Sequence, residues 1–144
     1  MRHAKPVNAV SWVEKLKEQV RVDDLNALAL RFVYSLRLIA IHRRARRDPV
    51  PELAAKLGNV TAAIAALDLT ETIAAIWPEP VRVGRACCRC LTFDEVTLAR
   101  ALEAVVARDR PAFNHQLEGL LKPGRIDLVW EQAMTLVAAE LNAS

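Results

Sequence analysis

Three cysteines, Cys87, Cys88 and Cys90, fall within four positions of a 144-residue chain that has no others. Three soft sulfur donors in one short loop are enough for three corners of a zinc or iron–sulfur site. A fourth ligand would have to come from His42, His115 or a carboxylate. Structural zinc sites use two separated knuckles of this kind, and here there is one cluster. A second chemistry is a reactive thiol. The segment Leu91-Thr92-Phe93-Asp94-Glu95-Val96 has Thr92 as N-cap, Glu95 as its reciprocal partner and Leu91 and Val96 as a hydrophobic staple. Cysteines just before a helix start, with Arg85 and Arg89 beside them, face partial positive charge that favours thiolate. The third and leading reading is that all three pack in the core as small hydrophobes.

A second constellation is Arg37, His42, Arg43, Arg44, Arg46 and Arg47. Of these, Arg43, Arg44, Arg46 and Arg47 are the candidates for gripping an anion, nucleic acid included. Helix C-terminal carbonyls attract cations, however, so helix stability explains part of the cluster. No aromatic residues are interleaved with it and no glycine turn follows a second helix. Catalytic patterns are missing. His3, His42 and His115 stand apart from one another, no nucleophile or metalloprotease motif surrounds them, and no glycine-rich phosphate loop exists. Trp12, Trp77 and Trp130 read as core anchors.

The elements that must position these residues are helices. Ser11 and Glu14 form a capping box that opens a short helix over 11–21, carrying Trp12, Leu16 and Val20. Asp23 and Asp24 predict the cap of a longer helix over 24–47. In it Leu25, Leu28, Phe32, Leu36 and Ile39 recur at helical spacing, with Leu30, Val33 and Ile41 widening the face. Such a helix belongs at the centre of a bundle. Pro51 opens the next, expected to run unbroken across Gly58 and Asn59 to Trp77, with a weaker cap signal at Asp68 and Glu71. The alternative is a break with Asn59 as a new cap. Residues 78–91 are expected to be an extended connector, because the strand-like alternation at 80–84 has no partner elsewhere in the chain. That alternation could pair with its copy in a dimer. Helices over 92–108, from Asp109 to Leu121 and over 126–141 complete the chain.

Composition agrees. The sequence is 53% hydrophobic but only 5% aromatic, and it holds four glycines. This is an Ala- and Leu-rich mixture that favours helix over turn-rich β structure. Twenty basic against 17 acidic residues give a net charge of +3, too mild to argue for nucleic acid by itself. Residues 1–6 are basic without a following apolar run, so no leader is expected, and Arg31 and Arg37 interrupt the most apolar stretch, which excludes a membrane span there. Three cysteines without a leader point to a reducing compartment, the cytoplasm.

Leu38-Ile39-Ala40-Ile41-His42-Arg43-Arg44, followed at a distance by Cys87-Cys88-Arg89-Cys90-Leu91-Thr92-Phe93-Asp94-Glu95, resembles a small bacterial family of unknown function. Its members carry a Cys-Cys-x-Cys-x-Thr-x-x-Glu signature before a helix. The resemblance implies a bacterial, cytoplasmic helical protein and transfers no role to any residue. The expectation is a single-domain, all-α bundle of six or seven helices over 1–144, with 1–10 as an N-terminal arm. Its function is expected to be that of a non-enzymatic interaction or regulatory module that self-associates and needs no cofactor. The alternatives are zinc or redox chemistry at Cys87, Cys88 and Cys90, and anion binding at Arg43–Arg47.

Overall fold

Asn26 opens the first long helix, α1 (Ala27–Arg44), in the computed structural model, which describes residues 20–142. Its side chain accepts the Ala29 N–H at 2.8 Å, as an N-cap does. The expected caps, Asp23 and Asp24, lie instead in a 3₁₀ turn spanning Val22–Asp24. Asp24 is spent on the Arg21 N–H and Asp23 on the Arg89 guanidinium. Extended backbone at the buried Leu25 then separates that turn from the helix. The capping box at Ser11 and Glu14 lies outside the described residues. Where the helix over 11–21 was expected to end, the chain is extended, and Arg21 forms an antiparallel bridge with Cys90.

α1 stops at Arg44, short of the expected Arg47. Arg46 turns into the left-handed region (φ 56°), and Arg46 and Arg47 donate back to the carbonyls of Arg43 and His42. This closes the helix in the manner of a Schellman motif. The expected unbroken helix from Pro51 is two helices, α2 (Val50–Leu57) and α3 (Val60–Ile76). Gly58 takes φ 75° at the end of α2, and the N–H groups of Gly58 and Asn59 both close on the Ala54 carbonyl. Asn59 then caps α3, accepting the Thr61 N–H at 2.9 Å while its amide donates to the Ala139 carbonyl at 3.1 Å. Asp68 and Glu71 lie within α3 and cap nothing.

Trp77-Pro78 ends α3 as expected. The chain from Trp77 to Thr92 is an extended connector with one turn and no strand. α4 (Phe93–Val106) follows, then α5 (Arg110–Leu117), capped by Asp109, and α6 (Pro123–Asn142). α6 starts at Pro123, three residues before the expected start, because proline is well suited to the first turn of a helix. Six α-helices among the described residues therefore make an all-α bundle. α3 packs along α6, α4 along α5, and α1 lies against α2, α3 and α4. Phe32, Leu36 and Ile39 of α1 meet Leu69, Ile73, Leu102 and Leu136 in the main core. A smaller cluster joins Val22, Leu25, Ala29 and Val33 to Leu91 and Ala99, with Val96 packed against it. The Leu91–Val96 staple thus fastens the N-terminal strand-like segment to the start of α4. Trp77 is a core residue, and Trp130 packs edge-on to Phe113 at a centroid distance of 5.0 Å. No helix among the described residues is long and apolar enough to cross a membrane.

The left-handed hinge at Gly58 has open space around it, so a substitution there is felt through the backbone alone. Gly58→Ala is expected to lower stability by about 1 kcal/mol and Gly58→Asn by less, since Asn tolerates this region better. Equal melting temperatures for Gly58→Ala and the parent would contradict the break.

Candidate functional site

Arg37 and Glu95 form an ion pair with side chains 1% and 0% exposed. Arg37 stands on the inward face of α1, one turn after Val33. Glu95 stands in the first turn of α4. The pair is bidentate: Nε donates to Oε2 at 2.8 Å and Nη2 to Oε1 at 2.9 Å. Two carboxylate oxygens meeting a planar guanidinium in this way is the strongest geometry open to the two groups.

Each partner does more than pair. Glu95 accepts the Thr92 N–H at 2.9 Å, completing the capping box, and the Gly84 N–H at 2.9 Å. Thr92 returns the favour by accepting the Glu95 N–H and itself donates to the Arg82 carbonyl at 2.7 Å. Arg37 sends two further N–H groups to the carbonyls of Cys88 and Cys90, the latter at 3.1 Å. The Cys90 carbonyl is free for this because Val22 donates to Arg89 and Leu91 donates to Val20. That pattern makes Arg21 and Cys90 the non-hydrogen-bonded pair of the bridge, whose own polar groups point away. One buried guanidinium therefore holds the cysteine loop from beneath while one buried carboxylate holds the connector at its middle, Gly84, and at its end, Thr92.

The electrostatics follow from these contacts. Burial alone would raise the Glu95 pKa. The hydrogen bonds from Arg37 and from the Thr92 and Gly84 amides, with the charge of Arg37, outweigh it and leave the carboxyl below its ordinary value. The same hydrogen-bonded carboxylate raises Arg37 above its ordinary value against the pull of desolvation. Gly84 is there for room: a Cβ at this position would stand 2.9 Å from Arg37 Nη2 and 3.2 Å from Glu95 Oε1. Any side chain must push the pair apart.

The cysteines are not core residues, contrary to the leading expectation. Cys87 and Cys88 are exposed and Cys90 is half-buried. The pinned carbonyls face inward, so the turn at Arg85–Cys88, closed by a 3.0 Å bond from Cys88 N–H to the Arg85 carbonyl, lifts the side chains outward. Cys88 Sγ lies 3.4 Å from the Cys90 carbonyl oxygen. Among the described residues no group of three or more His, Cys, Asp or Glu side chains is placed to hold a metal ion, so the structure does not draw Cys87, Cys88 and Cys90 into a ligand cage with His42, His115 or a carboxylate. Arg89, one of the two cations expected to act on the thiols, is taken up by Asp23.

The arginine cluster divides. Arg37 is internal, Arg43 pairs with Glu71 at 3.1 Å, and Arg44, Arg46 and Arg47 are exposed without an ion pair among the described residues. Arg47 reaches a groove of about 550 Å³ between α1 and α2. Leu38, Ile41, Leu53 and Leu57 form its apolar wall, Tyr34 and Lys56 line it, and Ala86 of the cysteine loop closes one side. Tyr34 and Ile41 are large side chains left 44% and 45% exposed. His42 also lines the groove. Its Nε2 is 3.3 Å from Glu52 Oε1, while its Nδ1 is buried with no hydrogen-bond partner. Buried polar atoms are normally satisfied, and this nitrogen is an exception to that rule. No motif in the sequence marks the groove, although Arg37 interrupting the Leu30, Val33, Ile41 stripe is a signal that a cation is buried there.

No family model matches the chain, no curated protein matches it, and no solved structure matches it.

The buried carboxylate makes acid stability diagnostic. Because its folded pKa lies below the unfolded value of ~4.3, Glu95 contributes stability that is complete above that value and is lost as pH falls through the folded pKa. Glu95→Gln is expected to cost about 3 kcal/mol at neutral pH, since it leaves a buried guanidinium unpaired. The difference from the parent should shrink below pH ~4. A difference that stays constant down to pH 2, read by denaturant melts, would contradict the assignment.

Proposed function

We propose that the protein is a non-enzymatic binding module whose recognition site is the groove between α1 and α2, and that its ligand carries a negative charge on an apolar body. The observation that supports this reading most is the combination at one site of an apolar wall and two cations, Arg47 and Lys56, that have no ion pair among the described residues. Ligand sites are concave, mainly apolar and carry a few placed polar groups; at about 550 Å³ this groove falls within the ordinary size range. Arg31, also at its edge, is held by Glu140 and the Leu57 carbonyl, which leaves it a fixed part of the wall. The proposal places the protein in the cytoplasm, where exposed thiols stay reduced, and includes self-association through Val60 and Ile64, apolar neighbours one turn apart on α3 that are 55% and 47% exposed.

Nucleic acid is the second reading, favoured by Arg44, Arg46 and Arg47, which have no ion pair among the described residues. Such binding would weaken steeply with salt as counterions are released.

The groove is tested with anilinonaphthalene sulfonate, an aromatic anion, as fluorescent probe. The expected result is saturable binding at one site per chain, weakened at least tenfold in Arg47→Glu/Lys56→Glu without a change in melting temperature, and little binding of the uncharged phenylnaphthylamine. Equal affinity of parent and double variant would overturn the reading. Retention of DNA or RNA at low salt, lost in Arg44→Glu/Arg46→Glu, would replace it with the second.

A further inference from the structure

Three thiols are presented on a loop whose backbone is held from inside, and the groove makes no use of them. We propose that Cys88 and Cys90 are a redox-active pair that exchanges with low-molecular-weight disulfides, with Cys88 as the attacking thiol and Cys90 as the resolving one.

Accessibility orders the roles. Cys88 is exposed and can meet a small disulfide, whereas Cys90 is half-buried and better placed to attack a neighbour than a molecule in solution. Proximity selects the pair. Cys88 Sγ is turned along the loop to within 3.4 Å of the Cys90 carbonyl oxygen, so the Cys88 side chain already lies against the residue it is proposed to pair with. The chain geometry selects the same pair over adjacent Cys87 and Cys88. Disulfides span Cα separations of ~4.4–6.8 Å. Neighbouring residues across a trans peptide are fixed at about 3.8 Å, below that window. Two residues apart, the chain enters the window as soon as it is bent from a full extension of about 7 Å. Cys87 is the outer corner of the Arg85–Cys88 turn and serves neither role.

The steps balance. The Cys88 thiolate attacks one sulfur of the small disulfide, forming a mixed disulfide and releasing one small thiolate. The Cys90 thiolate then attacks Cys88 Sγ and displaces the second. Two protein thiols are oxidised, one disulfide is reduced to two thiols, and the two thiol protons pass to the released thiolates. Arg37 holds the carbonyls of both cysteines throughout, which keeps the loop from opening while the bond changes hands.

The test uses the reduced full-length chain, incubated with oxidised glutathione at mildly alkaline pH, quenched with acid and weighed intact. The expected product is lighter than the starting protein by two hydrogens, with the link mapped by proteolysis to Cys88 and Cys90. Cys90→Ser should stop at a mixed disulfide on Cys88, and Cys87→Ser should oxidise at the parent's rate. The proposal is overturned if the parent also stops at a mixed disulfide, if Cys87→Ser fails to oxidise, or if the thiols react only after unfolding. None of these readouts depends on whether the groove binds an anion.

Discussion

A guanidinium and a carboxylate, both withdrawn from water, fasten this fold at the point where its two halves meet. The cost of burying two ions is offset by the bonds they make to each other and to the groups around them: four bonds from Arg37 reach Glu95, Cys88 and Cys90, and Glu95 takes two amide N–H groups as well. From this one contact follow the seating of α4 on α1, the path of the connector after Gly84, and the outward display of the thiols. An isolated hydrophobic contact would join the helices equally well but would leave the loop's carbonyls without partners. A buried ion pair is weak evidence of added stability in general, and its better-attested use is to specify one arrangement. Here the arrangement specified is that of a loop.

The sequence made the helices legible and left this contact nearly invisible. The capping box at Thr92 and Glu95 could be read because its spacing encodes both hydrogen bonds locally, and the structure has both. That Glu95 has a second partner 58 positions away has no local signature. In the sequence Arg37 reads as one of the arginines that follow it, since a run of cations at a helix end has a sufficient explanation in the helix dipole. Its place one turn beyond Val33 on a buried face was the contrary sign. The same limit explains the smaller errors. Asp23 and Asp24 are good caps in isolation, but Arg89 claims Asp23 across the fold, the neighbouring Arg21 N–H claims Asp24, and Asn26 caps instead. Gly58 could be tolerated inside a helix; the bond from Asn59 to the Ala139 carbonyl, on the helix packed alongside, favours the break.

For the candidate sites, residue type was legible and environment was not. Cys87, Cys88 and Cys90 were identified as the chemically distinctive residues, yet burial is the common fate of free cysteines, and only the inward-facing carbonyls show why these turn outward. Arg47 was named for its charge, but the groove it reaches is assembled from α1, α2 and Ala86 of a distant loop. Tyr34, Ile41 and Lys56 carry no motif. They come together because the helices leave an apolar wall uncovered next to cations without an ion pair among the described residues, a property of packing rather than of any segment.

The claim that the Arg37–Glu95 contact acts as a unit is tested most directly by a double-mutant cycle with Arg37→Met and Glu95→Gln, read by denaturant unfolding near neutral pH. If each residue is buried for the sake of the other, each single change leaves a stranded partner and costs about 3–5 kcal/mol. The double change should then cost far less than the sum, giving a coupling of about 2–3 kcal/mol. Additive costs, with a coupling within about 0.5 kcal/mol of zero, would contradict the account.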